Sequence, residues 1–148
     1  MTLTFEEISD RVQIEDVLTR YCYAVDDREW DIYQDLFVPD AVIDDRVTGG
    51  IESGVEEHIQ YLNRALSKVV LSQHTISTIQ IDLGVNEANV RAACACPMVV
   101  DVGSLEPIVF FQGLSYRNSL ARTDSGWKIA RLVEEGYWTH NLPPHFRF

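Results

Sequence analysis

The chain has 148 residues, 46% of them hydrophobic, enough for one domain spanning 1–148 with a sizeable core. Twelve basic against 23 acidic side chains leave a formal charge of −11, which repels phosphate backbones and anionic lipid and excludes nucleic acid as the expected partner. No apolar run approaches the about 18 residues of a membrane span, and the acidic start MTLTFEEISD lacks a basic segment followed by an apolar one, so no membrane association and a cytoplasmic location are expected.

From about Phe5 to Val25 the residues Ile14, Val17, Leu18, Tyr21, Cys22 and Val25 recur at helical spacing between acids, Gln and Arg. That pattern predicts a long amphipathic helix. A second, shorter helix fits Arg28 to Leu36, with Trp30, Tyr33, Leu36 and Phe37 inward and Pro39 as its stop. Ala41 to Val47 reads as a short strand before the Gly49-Gly50 turn. Ser53 followed by Glu56 has the spacing of a capping box, and Val55, Ile59, Leu62 and Leu66 continue as a third helix. Beyond it the pattern becomes β-rich, over Val69 to Leu83, Asn89 to Val102, Pro107 to Leu120 and Trp127 to Glu135, separated by GVNE, GSLE and TDSG turns. Helices first and antiparallel strands later predict an α+β domain with helices on one face of a curved sheet. Cys22, Cys94 and Cys96 lie inside apolar segments and read as reduced, buried thiols. No further Cys/His pair at metal-ligand spacing follows them, and no glycine-rich cofactor loop is present, so neither metal nor cofactor is expected.

The segment YCYAVDDREW raises the functional question. Steps of four carry the apolar row Ile14, Leu18, Cys22 on to Asp26, so a carboxylate sits at the edge of a buried face. Two readings are open. Asp26 or Asp27 can N-cap the second helix, with Glu29 completing a variant box. Against that, an acid at the C-terminal end of the first helix opposes the macrodipole, and a cap needs one aspartate rather than two. Among the histidines, His58 falls among Glu56, Glu57 and Gln60 and reads as solvated. His140 and His145 fall in the tail YWTHNLPPHFRF, where prolines forbid regular structure. His74 lies at the start of a strand, with His74, Ile76 and Thr78 on one face and Thr75, Ser77, Ile79 and Ile81 on the other. It can be a hydrogen-bonded core residue or a base.

The run IEDVLTRYCYAVDDREWDIYQDLFVPDAVID, then a helix, then SQHTISTIQIDL, and finally GLSYRNSLARTDSGWKIARL resembles the SnoaL-like proteins over nearly the whole chain. These belong to the nuclear-transport-factor-2-like superfamily. The resemblance implies a cone-shaped α+β barrel, with three helices packed on a curved, mainly antiparallel sheet. Its cofactor-free lyases, among them scytalone dehydratase, the bile-acid 7α-dehydratase and hexachlorocyclohexane dehydrochlorinase, pair an aspartate after the first helix with a strand histidine. Those positions match Asp26 and His74, and the helix tyrosine of the dehydratases matches Tyr21. Other positions depart. Where relatives carry an acid or second histidine on the next strand, this chain offers Cys94, Cys96, Pro97 or Met98. A Tyr-x-Asp appears here as Tyr116-Arg117-Asn118, and the arginine before the final turn has a loose match in Arg122.

In such a dyad an aspartate fixes the imidazole tautomer and leaves the second nitrogen free as a base. The expected catalytic set is therefore His74 as base, Asp26 as orienting acid and Tyr21 as hydrogen-bond donor. Tyr116, Arg122, Asn118, Trp30 and Met98 are the expected substrate contacts. Apolar helix faces imply a small apolar cyclic substrate, and the dyad that the resemblance implies suits a dehydratase-type β-elimination. Two other classes are implied by the same resemblance: a ketosteroid-type isomerase using Asp26 or a nearby acid as base, and a non-catalytic binder or oxygenase β-subunit. An open sheet carrying Val99, Val109, Phe110, Phe111, Tyr116 and Trp127 must hide two faces, so a homo-oligomer is expected, a trimer or else a dimer.

Overall fold

The computed structural model describes residues 2–148. Helix α1 spans Phe5–Asp26 and opens on a capping box: the Thr4 hydroxyl accepts from the Glu7 backbone N–H, and the Glu7 carboxylate accepts from the Thr4 N–H. Its inner face buries Ile14, Val17, Leu18, Tyr21, Cys22 and Val25, as the spacing predicts. Arg28 then enters the left-handed region at φ 60°, which ends α1. Its guanidinium donates back to the carbonyls of Val25 at 2.5 Å and Asp26 at 3.1 Å, satisfying acceptors that the helix end leaves open. For this reason α2 is only Trp30–Asp35 rather than beginning at Arg28.

Strand β1 covers Phe37–Asp44, so Pro39 lies inside it instead of merely stopping a helix. The prolyl residue is accommodated because the pairing with β7 shifts register between Phe37 and Val42. A 3-10 turn over Arg46–Thr48 and the two-residue β2, Glu52–Ser53, lead to α3, Val55–Ala65. The expected Ser53–Glu56 capping box does not form. Gly54 is the N-cap, and the Ser53 hydroxyl is buried without a partner.

The long stretch after α3 is two strands, β3 (Val69–Ser72) and β4 (Thr75–Leu83), interrupted at Gln73 and His74. Both pair antiparallel with β5, Glu87–Val100. Strand β6, Ile108–Thr123, and β7, Gly126–His140, complete a sheet ordered β2-β1-β7-β6-β5-β3, with β4 also on β5. Among the described residues only β1 and β7 run parallel. The helices cover the inner face of this strongly curled sheet, which is the expected cone-shaped α+β architecture. Along β5 and β6 the even-numbered residues point in, among them Cys94, Cys96, Met98, Phe110 and Tyr116. Phe110, Tyr116 and Trp127 are therefore core residues and not part of the outer face. That face instead shows Leu71, Val109, Phe111 and Trp138, each with large exposure. Among the described residues, no helix is long and apolar enough to cross a membrane.

Two bulges change which residues point inward. Thr78 has φ 52°, and the β4–β5 register shifts between Ser77 and Gln80. Ile76 packs on the core before the shift, and Ile79, Ile81 and Leu83 after it. On β7 the register slips at Ala130, since Leu120 pairs with Ile129 and Ser119 with Arg131. Trp127 and Ile129 are buried before it and Leu132 beyond it, which brings Glu134 to the inner side opposite Tyr116.

Candidate active site

Asp26 is the last residue of α1, and His74 sits in the gap between β3 and β4, where no ladder constrains it. The two meet. His74 Nδ1 is 2.6 Å from Asp26 Oδ1, the His74 backbone N–H donates to Oδ2 at 2.8 Å, and the Ser72 hydroxyl donates to Oδ1 at 2.7 Å. Neither Asp26 nor Asp27 caps α2, whose N-cap is Glu29 without a side-chain bond. Burial alone would raise the Asp26 carboxyl, but the hydrogen bonds from His74 and Ser72 outweigh it and hold the carboxyl below its usual range. A carboxylate only accepts, so the proton between the pair is on Nδ1, and the neutral tautomer this selects is the one with a free lone pair on Nε2.

His74 lines a narrow interior pocket of about 50 Å³ between helices and sheet. Tyr21, Tyr116 and Met98 are also in its wall. The Tyr21 ring lies edge-on to Tyr116, 5.6 Å between centroids, and burial pushes both hydroxyls well above the ordinary phenol range, which keeps them as donors. Gln112 is buried in the same wall, and its Oε1 has no partner in the protein. Phe148 reaches the cavity from the C-terminal segment, where Phe146 and Phe148 pack on Phe110 of the same chain. A larger groove, about 1000 Å³, runs over the outside past Asp31, Val38, Glu56 and Lys128 and does not reach the dyad.

A second polar cluster shares the cavity wall. His58, only 2% exposed, is not solvated as its acidic neighbours suggest: its ring lies on the inner side of α3. Its Nε2 is 3.0 Å from Asp45 Oδ2, and its Nδ1 is 2.8 Å from the Tyr33 hydroxyl. Glu134 lies beside this group, with Oε2 2.9 Å from the Thr48 hydroxyl. Burial raises the Glu134 carboxyl to about 8, against the Thr48 contact, with the charges of Asp45 and Asp44 adding to the rise. The wall thus carries Asp45, Thr48, His58, Tyr61, Gln112 and Glu134 in addition to His74, far more polar character than apolar helix faces imply.

Three expected substrate contacts lie outside this wall. Trp30 donates from Nε1 to Asn63 Oδ1 at 2.9 Å and ties α2 to α3. Arg122 forms a two-point ion pair with Asp10, at 2.8 and 2.6 Å, and covers the Trp127 ring. Asn118 is buried in the sheet between Val90 and Leu132. The three thiols are free and buried, and burial raises Cys22 and Cys94 to about 12. Among the described residues no three His, Cys, Asp or Glu side chains are grouped to hold a metal ion.

Comparison with known proteins places this geometry in context. The SnoaL-like domain matches residues 6–133. The uncharacterized protein Rv2910c of Mycobacterium tuberculosis is 35% identical over 132 residues, covering 89% of this chain and 88% of that protein. Among solved structures, a candidate scytalone dehydratase from Novosphingobium aromaticivorans superposes with a TM-score of 0.82 at 20% identity, covering 98% of this chain and 95% of that one. A type 2 hexachlorocyclohexane dehydrochlorinase, LinA, gives a TM-score of 0.75 at 18% identity, covering 93% and 96%. At these identities the two structures show the fold.

Proposed function

Since the chain belongs to the SnoaL-like domain family, we propose that it is a cofactor-independent lyase that eliminates water, or a comparably small group, from a ring-sized substrate. One observation carries this reading: an Asp26–His74 pair at 2.6 Å whose free nitrogen belongs to a residue lining a narrow interior pocket. His74 Nε2 takes the proton from the carbon next to a carbonyl, and Asp26 holds the ring and stabilises the imidazolium. Tyr21 and Tyr116 donate to the carbonyl oxygen as it gains charge. The pair forms the double bond as the group on the neighbouring carbon leaves. The candidate dehydratase and the dehydrochlorinase among its structural neighbours support an elimination, and the polar wall favours a ring bearing oxygen at more than one position. The exposed Leu71, Val109, Phe111 and Trp138 support self-association through the outer sheet face. A stable monomer in light scattering at micromolar concentration would remove that part of the proposal.

The test is a panel of cyclic β-hydroxy ketones, followed by the ultraviolet absorbance of the conjugated enone. Turnover by the wild type, with losses of about 10²–10⁴-fold in His74→Gln and Asp26→Asn, is the expected result. Turnover that survives in His74→Gln excludes this mechanism. An isomer of the added ketone, formed with His74 dispensable, would point to the isomerase class instead.

A further inference from the structure

Glu134 has no role in the dyad, yet it lines the same cavity as His74, on a different strand and wall. Its surroundings are acidic or phenolic. Asp45 and Thr48 face it from the segment after β1, Tyr116 from β6, and the phenols of Tyr21, Tyr33, Tyr61 and Tyr137 lie around it, with His58 across the cavity wall. Among the described residues no Lys, Arg or His forms an ion pair with it.

The Thr48 hydroxyl is the hydrogen-bond partner of Glu134. The Thr48 hydroxyl has one hydrogen and two close oxygens, the Asp45 carbonyl at 2.7 Å and Glu134 Oε2 at 2.9 Å. The Asp45 carbonyl already accepts from the Thr48 and Gly50 backbone N–H groups, so the hydroxyl can donate to Glu134 Oε2, and among the described residues no cation joins it there. Burial among acids and phenols with no cation to pair with favours the neutral carboxylic acid at ordinary pH.

We propose that Glu134 is the acid of this site: its neutral carboxyl gives a proton to the departing hydroxyl oxygen while His74 removes the proton from carbon. This rests on the elimination reading above. The C–H bond breaks toward His74 Nε2, its electron pair becomes the new C=C bond, and the C–O pair leaves on oxygen. That oxygen takes the Glu134 proton and departs as water, leaving an imidazolium and a carboxylate. Return of the His74 proton to Glu134 through cavity water restores both groups, so the net change is substrate to alkene plus water. Gln112, whose Oε1 lacks a protein partner in the same wall, accepts from the substrate hydroxyl and orients it before departure.

Two measurements decide this. Infrared difference spectra of wild type and Glu134→Gln near neutral pH read the C=O stretch of a protonated carboxyl; a band unique to the wild type is expected, and its absence overturns the proposal without touching the dyad. The second compares cyclohexanones bearing either hydroxyl or para-nitrophenoxy at the β carbon. Nitrophenoxide needs no proton to leave, so Glu134→Gln should lower kcat for the hydroxy compound by about 10²-fold or more and leave the nitrophenoxy compound within a few-fold. His74→Gln should depress both. Equal losses with both leaving groups in Glu134→Gln would show that Glu134 acts elsewhere in the site, which overturns its role as the acid while the lyase reading stands. A wild type that turns over neither compound overturns the elimination and the acid with it. Should the amide fail to fold, Glu134→Asp keeps the proton but withdraws it by one methylene, and the same split is expected at smaller size.

Discussion

His58 Nε2 on α3 lies 3.0 Å from Asp45 Oδ2 in the turn after β1, and both side chains are almost fully buried. Asp45 also accepts from the Ile51 backbone N–H at 2.5 Å, and Gly50 approaches so closely that a side chain there would collide with the carboxylate. The Tyr33 hydroxyl completes the chain on the other ring nitrogen. His58 therefore joins α2, α3 and the β1–β2 connection through polar groups alone. Removing it leaves Asp45 Oδ2 and the Tyr33 hydroxyl without the ring, so His58→Ala should cost about 2–5 kcal/mol. Urea unfolding with an unchanged m-value checks this, and a loss under about 1 kcal/mol would show that water replaces the ring.

The two polar clusters differ in how far the sequence discloses them, for physical reasons. Asp26 is legible because a helix has one period: the row Ile14, Leu18, Cys22 carries its face on without interruption to position 26. Glu134 is hidden by a bulge. Strict alternation from Trp127 and Ile129 puts Glu134 outside with Lys128, and the extra residue at Ala130 reverses it. His58 is obscured differently, since Glu56, Glu57 and Gln60 make its turn look solvated while the partner that buries it, Asp45, lies 13 residues earlier. Arg122 is a loose match to a family arginine and Trp30 an inward position of the second helix, and neither local pattern says what their side-chain donors meet. Asp10 and Asn63 take those donors from other elements, and such distant pairings have no local signature. The order of helices and strands was legible almost throughout, because periodicity reports an element's type more surely than its irregularities.

The Asp26 carboxyl sits below its ordinary range in the folded chain, so its contribution to stability has a definite sign with pH. That contribution is present above the unfolded value, about 3.9, and is lost as pH falls through the lower folded value. Wild-type melting temperature should therefore fall more steeply than that of Asp26→Asn as pH is lowered from about 5 to 2. Asp10 and Asp44 are also held low and add the same slope to both proteins, so the difference between the curves isolates Asp26. Parallel curves would mean that the short contacts to His74 and Ser72 do not favour the ionised form.

Cys22, Cys94 and Cys96 are buried, with the first two raised to about 12 and the third raised further by the same loss of solvent. The thiolate is the nucleophile, so almost none of the reactive form is present near neutral pH. An aromatic disulfide reagent should leave the native protein essentially untouched and titrate three thiols once the chain is unfolded. One thiol reacting rapidly in the native state would mean that the Cys94–Cys96 strand opens far more often than its position in the core implies.

Glu134 should impose the opposite pH dependence to Asp26. Its folded value is raised to about 8, so the folded chain holds a proton that the unfolded chain has released once pH exceeds the ordinary glutamate value. The stabilising contribution is complete below about pH 4.3, declines through the interval up to about 8, and is constant beyond it. Each pH unit in that interval costs about 1.4 kcal/mol, so the loss amounts to several kcal/mol for this one group. Glu134→Gln keeps the shape and cannot ionise, and its unfolding free energy should be nearly flat over the range in which the wild type declines. At the alkaline end the variant should therefore be the more stable protein. Identical slopes in the two proteins would place the ionised carboxylate in the cavity at neutral pH.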